Sequence, residues 1–174
     1  NVGTTNTLYD SKWINASTGY LCGSSGCFRY TTNGGANWQG TNPPTTGTMQ
    51  RVLVSGSTIF VGGFDQVNIY STTDNGATWN TLPFAASGQF STFNIYAMDI
   101  VGSTMLAAGT YGLMNKSTNA GANWQTASVH ATVANMVDIY AASGNGRVIA
   151  IGTDIGGNDC IVYSTNGGNS WTNS

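Results

Sequence analysis

The chain offers few groups able to move protons or hold metals. Its 174 residues include five Lys plus Arg, one His and seven acidic residues, every one of them Asp. A glycosidase of the two-carboxylate kind needs two acids about 5–10 Å apart across a cleft. Asp10, Asp65, Asp99, Asp138, Asp154 and Asp159 are the candidates, and turn capping or a solvated face is the reading preferred for each. His130 is the only histidine, so a His-based metal cluster cannot form. The loop Thr153-Asp154-Ile155-Gly156-Gly157-Asn158-Asp159 is rich in Asp and Gly. Its two carboxylates are few for the six to eight oxygens that calcium takes. These residues predict no catalytic centre, no metal and no cofactor.

Composition narrows the classes further. Charged residues make up 7% of the chain, against roughly 25% in an average soluble domain. The net charge is −2, and five basic residues give no electrostatic footprint for nucleic acid. No apolar run approaches the roughly 18 residues of a membrane span. Gly, Thr, Asn and Ser dominate while Glu is absent and Lys and Arg are scarce, which excludes long helices. A surface built on Thr, Ser and Asn points to an extracellular or cell-envelope location. The chain starts at Asn1, as expected of a processed chain or a piece of a longer one. Cys22 and Cys27 flank Gly-Ser-Ser-Gly. They either pair across a hairpin or serve, like Cys160, as small buried hydrophobes. Two glycosylation sequons, at Asn15 and Asn115, are read as chance matches in an Asn- and Ser-rich chain.

The elements follow from an internal repeat. Thr31-Thr32-Asn33-Gly34-Gly35-Ala36-Asn37-Trp38 returns at 72–79, 117–124 and 164–171, with tryptophans at Trp38, Trp79, Trp124 and Trp171. The intervals are 41, 45 and 47 residues, a propeller-blade period. Each repeat has an apolar run, a turn, a second apolar run ending in Gly23, Gly63, Gly109 or Gly152, and a loop. A third run then leads into the motif, as in Cys27-Phe28-Arg29-Tyr30 or, with Val67, Val67-Asn68-Ile69-Tyr70. A fourth strand begins at the tryptophan. The predicted fold is all-β: four four-stranded antiparallel blades in one domain over 1–174, as a closed ring or part of a larger propeller.

Within the motif, the side chain of Asn33, Asp74, Asn119 or Asn166 is suited to accept the turn's own backbone N–H groups. Gly35, Gly76, Gly121 and Gly168 are suited to positive φ. The leading Ser or Thr adds another bond, and each indole packs on its own blade or the next. The motif therefore locks the fold and carries no chemistry of its own.

These motifs resemble the Asp-box, or bacterial neuraminidase repeat. The stretch Trp13-Ile14-Asn15-Ala16-Ser17-Thr18-Gly19-Tyr20-Leu21-Cys22-Gly23, followed by the Asn33 motif, is similar to blades of the photosystem II stability-factor type. The resemblance spans the chain and implies a β-propeller. It leaves the activity open, because sialidases, sortilin-type receptors and xyloglucanases carry the same box. Sialidase chemistry needs an arginine cluster and a tyrosine nucleophile activated by glutamate. Only Arg29, Arg51 and Arg147 are present, scattered, and there is no Glu.

In such folds the box hairpins tend to lie opposite the binding face. The loops on the other face hold the candidate ligand residues Phe64, Asp65, Tyr111, His130 and Asp154, with Phe84 and Phe90 beside them. Residues 1–6 are expected to complete the last blade's outer strand. The function expected is a non-catalytic module for protein interaction, assembly or self-assembly. A glycan-binding propeller and a fragment of an Asp-box glycoside hydrolase are the alternatives.

Overall fold

The computed structural model describes residues 2–64, 68–83, 94–127 and 133–174. Asp65, Val67, Phe84, Phe90 and His130, singled out above, lie outside the described residues. The chain divides into two compact units, Asn1–Leu82 and Pro83–Ser174. Among the described residues there is no helix, hence none long and apolar enough to cross a membrane.

In the first unit, β1 (Leu8–Trp13), β2 (Gly19–Gly23) and β3 (Phe28–Thr31) form sheet 1 in that order. Its fourth strand is reduced to one antiparallel bridge, Tyr30 to Gln39. Sheet 2 follows as β4 (Thr48–Ser55), β5 (Thr58–Phe64), β6 (Asn68–Thr72) and β7 (Asn80–Pro83). In the second unit, β8 (Ile95–Val101), β9 (Thr104–Gly109), β10 (Met114–Ser117) and β11 (Gln125–Ala127) make sheet 3. Sheet 4 is β12 (Val133–Ala141), β13 (Val148–Asp154), β14 (Asp159–Ser164) and β15 (Thr172–Asn173). Pairing is antiparallel throughout, so short turns suffice to connect the strands. The fourth strand of sheet 4, β15, comes from the residues directly after Trp171.

The glycine that ends each second strand has a steric cause. Each first strand is irregular near its start, at Leu8/Asp10, Met49/Arg51, Ile95/Ala97 and Met136/Asp138. That irregularity pushes a backbone carbonyl over the neighbouring strand. A Cβ on Gly23, Gly63, Gly109 or Gly152 would strike the oxygen of Thr7, Thr48, Asn94 or Asn135.

The first strand of a later repeat covers the sheet before it within each unit. β4 lies on β1 and β2, and β12 lies on β8 and β9. One core joins Tyr20, Cys22 and Phe28 of sheet 1 to Met49, Val52, Ile59 and Val61 of sheet 2. The other joins Leu106, Ala108 and Met114 of sheet 3 to Val133, Met136, Ile139 and Val148 of sheet 4. In this structure Cys22 and Cys27 are both free and fully buried, the arrangement that the small-hydrophobe alternative describes. Cys22 faces this core as a small hydrophobe, and burial pushes its thiol pKa well up.

Candidate functional site

The four boxes share one hydrogen-bond pattern. The leading hydroxyl of Thr31, Thr72, Ser117 or Ser164 accepts the N–H of Gly35, Gly76, Gly121 or Gly168 at 2.8–3.0 Å. The same hydroxyl donates to the Asn or Asp side-chain oxygen at 2.7–2.9 Å. That oxygen accepts the backbone N–H four residues on, at 2.8–3.0 Å. The glycines have φ of 82° to 88°, a left-handed conformation that costs side-chained residues energy. Asp74 also accepts the Thr78 hydroxyl at 2.6 Å. Bonds from the Thr78 hydroxyl, the Thr78 N–H and Thr72 hold its pKa down at about 2. Asn166 reproduces the hydroxyl contact with reversed polarity, its Nδ2 donating to Ser170 at 2.8 Å.

The box indoles are half-buried. Trp38 meets Trp13 of its own sheet edge-on, with centroids 5.9 Å apart. Trp79 instead leans back onto sheet 1, edge-on to Phe28 at 5.0 Å, and its Nε1 donates to the Thr41 carbonyl at 2.9 Å. Trp171 packs against the core shared by sheets 3 and 4. Trp38 thus packs within its own sheet, as the sequence reading allowed, whereas Trp79 turns to the preceding sheet, which that reading did not include.

Two aspartates among the acid candidates clamp sheet to sheet. The Asp10 carboxylate accepts the Val52 N–H of β4 at 2.9 Å. The Asp99 carboxylate accepts the Ala141 N–H of β12 at 2.6 Å. Both residues also bond the next N–H of their own strand at 2.8 Å. Sequence reasoning missed this role, because the donors are backbone groups 42 residues away. Two of the three arginines are held by acceptors close to them. Arg29 donates to the Phe28 carbonyl at 2.6 Å and to Asn42 at 2.8 Å, and Arg51 to the Gln50 carbonyl at 3.0 Å.

Of the candidate ligand residues, Phe64 ends β5 in the first unit and is half-buried. The segments that hold Tyr111 and Asp154 both lie against the start of β12 in the second unit. Tyr111 sits at φ 61° and is 58% exposed. The residues flanking it are tied to β12: Thr110 bridges Asn135, and the Gly112 N–H donates to Ala134 at 2.9 Å. Asp154 pairs with Val133 of the same strand. Its carboxylate is committed to its own turn, accepting the N–H groups of Gly156 and Asn158 at 2.8 Å. Those bonds, led by the Asn158 side chain, lower its pKa. Among the described residues no cluster of His, Cys or Asp is placed to hold a metal ion.

One surface went unread in the sequence. The buried face of sheet 4 carries Val148, Ala150 and Val162. Its opposite face exposes Tyr140, Ile149, Ile151, Ile161 and Tyr163. A shallow cavity of about 190 Å³ opens there, lined by Tyr140, Arg147, Ile149 and Tyr163 among others.

A family model described as photosynthesis system II assembly factor YCF48 matches residues 1–173. None of the curated proteins matches the sequence. Among solved structures, YCF48 bound to D1 peptide is 19% identical, with a TM-score of 0.74 over 99% of this chain and 54% of that one. YCF48 from Cyanidioschyzon merolae is 18% identical, with a TM-score of 0.74 over 99% of this chain and 57% of that one. The WD40 β-propeller domain of Doa1 is 14% identical, with a TM-score of 0.72 over 97% of this chain and 54% of that one. At such identities the likeness is one of fold, and the fold is that of β-propeller blades. The chain spans about half the length of these structures.

Proposed function

The chain belongs to the family of the photosynthesis system II assembly factor YCF48, and from that premise we propose that it is a protein-binding module acting in the assembly of a larger complex, without catalysis of its own. The match over residues 1–173 carries this reading, and the relative solved with a D1 peptide gives it a concrete ligand class, a polypeptide segment. Tyr111 supports it from this chain. A mostly exposed ring, mounted on backbone tied to β12 on both sides, is a contact that loses little entropy on binding. Three of the six candidate acids are engaged elsewhere: Asp10 and Asp99 clamp sheets, and Asp154 closes a turn. The surface of Thr, Ser and Asn fits work outside the cytoplasm, which cell fractionation tests.

The binding experiment is a fluorescence titration of the chain with D1 peptide, run beside a panel of reporter glycosides. Saturable binding is expected, and no glycoside turnover. Tyr111→Asn is the informative variant, since Asn tolerates the left-handed backbone. It is expected to weaken binding by about tenfold or more, the scale of a lost aromatic anchor, with an unchanged melting temperature. Failure of the wild-type chain to bind, or sustained glycoside hydrolysis, would overturn the proposal.

A further inference from the structure

An asparagine followed by glycine is open to spontaneous loss of ammonia, because the unhindered glycine nitrogen can attack the side-chain carbonyl carbon. The chain has four such pairs: Asn33-Gly34, Asn75-Gly76, Asn145-Gly146 and Asn166-Gly167. A hydrogen bond on the glycine N–H holds the attacking nitrogen in place. Three pairs have one. Gly34 donates to the Ser17 carbonyl at 2.9 Å, Gly76 to the Thr72 hydroxyl at 2.9 Å and Gly167 to the Gly146 carbonyl at 2.7 Å. Gly146 is the exception, its N–H meeting no acceptor among the described residues.

The side chains divide in the same way. The Asn33 oxygen is held by the Thr31 hydroxyl and the Asn37 N–H, and the Asn166 oxygen by Ser164, Asn169 and Ser170. Asn145 is held at one point only, its Oδ1 accepting the Arg147 N–H at 3.0 Å. That bond favours reaction, because negative charge develops on Oδ1 as a nitrogen adds to Cγ, and a donor aimed there stabilises it. The turn also has room to move. It is closed by the Ala142 N–H donating to the Arg147 carbonyl at 2.8 Å, and residues 143–147 are all exposed. A Cβ on Gly144 would meet nothing within 4 Å. The matching turns at Gly56-Ser57 and Gly102-Ser103 are exposed too, although another repeat follows each of them. Exposure therefore belongs to this turn as such, and not to its being in the last repeat.

We infer that Asn145 is a site of self-modification in the folded chain, where conversion to isoaspartate loosens the fourth box. The Gly146 nitrogen bonds to Cγ of Asn145 and gives its proton to hydroxide. The Cγ–Nδ2 bond breaks, and Nδ2 leaves as ammonia after taking a proton from water. Water then opens the cyclic imide. Opening at Cγ gives aspartate. Opening at the backbone carbonyl gives isoaspartate, in which the main chain runs through the side chain and is one methylene longer. That methylene enters just before Gly146, whose carbonyl accepts the Gly167 N–H of the fourth box. The first and third boxes are tied to their own first turns by the same bond, Gly34 to Ser17 and Ala120 to Ser103, both at 2.9 Å. Isoaspartate therefore displaces the acceptor that ties the fourth box to its sheet. The inference is independent of the peptide-binding reading, which uses Tyr111.

Peptide mapping by mass spectrometry tests it, on the chain incubated at mildly alkaline pH both folded and in urea. In the folded chain the fragment with Asn145 is expected to become one mass unit heavier about tenfold or more faster than those of the other three pairs, the scale of one hydrogen bond that must first open. In urea the four rates are expected to converge. The melting temperature of the wild type should fall as isoaspartate accumulates. Asn145→Gln, whose longer side chain closes an imide far more slowly, should keep its melting temperature through the same incubation. A folded chain in which any of the other three pairs reacts as fast as Asn145 overturns the inference. So does an order of rates that persists in urea, which would assign it to local sequence and not to the fold. A melting temperature that does not follow the isoaspartate content, or that falls equally in Asn145→Gln, overturns the link to the fourth box.

Discussion

Asp74 shows how little of the box depends on charge. Asn33, Asn119 and Asn166 accept the same backbone N–H as Asp74 does, at distances equal within 0.2 Å. Asp74→Asn is therefore expected to fold normally, with Nδ2 donating to Thr78 as Asn166 donates to Ser170. Its consequence is seen in acid. The Asp74 pKa falls from 3.8 to about 2 on folding, so the ionised form contributes stability above the unfolded value that is lost as pH drops through the folded one. Denaturation midpoints measured between pH 4 and pH 2 should fall less steeply in the Asn variant. Because the carboxylate is exposed, the difference should shrink with added salt. The box glycine is less replaceable. Gly76 has φ 88°, and a Cβ there would lie 3.0 Å from both Phe28 and the Thr41 carbonyl, whereas Gly144, at φ 87°, has nothing within 4 Å. Both Ala substitutions incur backbone strain of about 1–3 kcal/mol. Gly76→Ala should cost measurably more than Gly144→Ala in a urea titration, and equal losses would refute the packing argument. These box roles were legible because a turn closed by its own side chains is local. The roles of Asp10 and Asp99 were not, since nothing near them in sequence identifies a donor on another sheet.

At the scale of elements, the apolar runs and terminal glycines located the strands, and the box located the third hairpin. The fourth strands begin one residue after the tryptophan at Asn80, Gln125 and Thr172, and shrink to a single bridge at Gln39. Burial by face was not legible. Ile59-Phe60-Val61 and Ile149-Ala150-Ile151 read alike as apolar β runs. Yet the first is buried throughout, and in the second only Ala150 is, a difference that the run of apolar residues does not encode. The choice between the two cysteine readings was not legible either. Cys22 and Cys27 flank a hairpin turn as expected, yet both stay free and buried. The Asp99 clamp gives the test belonging to this scale. Asp99→Ala removes a charged acceptor from the Ala141 and Ile100 N–H groups, a loss of about 1.5–3 kcal/mol for hydrogen bonds of this kind. Equilibrium unfolding should show the drop in midpoint. An unchanged midpoint would mean that apolar contact alone holds β12 to sheet 3.

Each unit repeats one construction: two sheets of four strands, or three strands and a bridge, each pinned by its box, with the first strand of the second sheet lying on the first. Repeats of this kind gain stability from their neighbours as much as from within. Length and tryptophan spacing made the fold readable, and the family followed from residues 1–173. Function was less readable, because the box is structural in every copy and the same architecture serves enzymes and binding proteins alike. The weight therefore falls on the surface, where Tyr111 is the contact proposed for a polypeptide ligand. Calorimetric titration of the chain with D1 peptide at two temperatures tests the protein-binding claim most directly. The account expects saturable one-to-one binding with a negative heat-capacity change, the mark of apolar surface leaving water. Absence of saturable binding by any probe at both temperatures, from a chain shown to be folded, would contradict it.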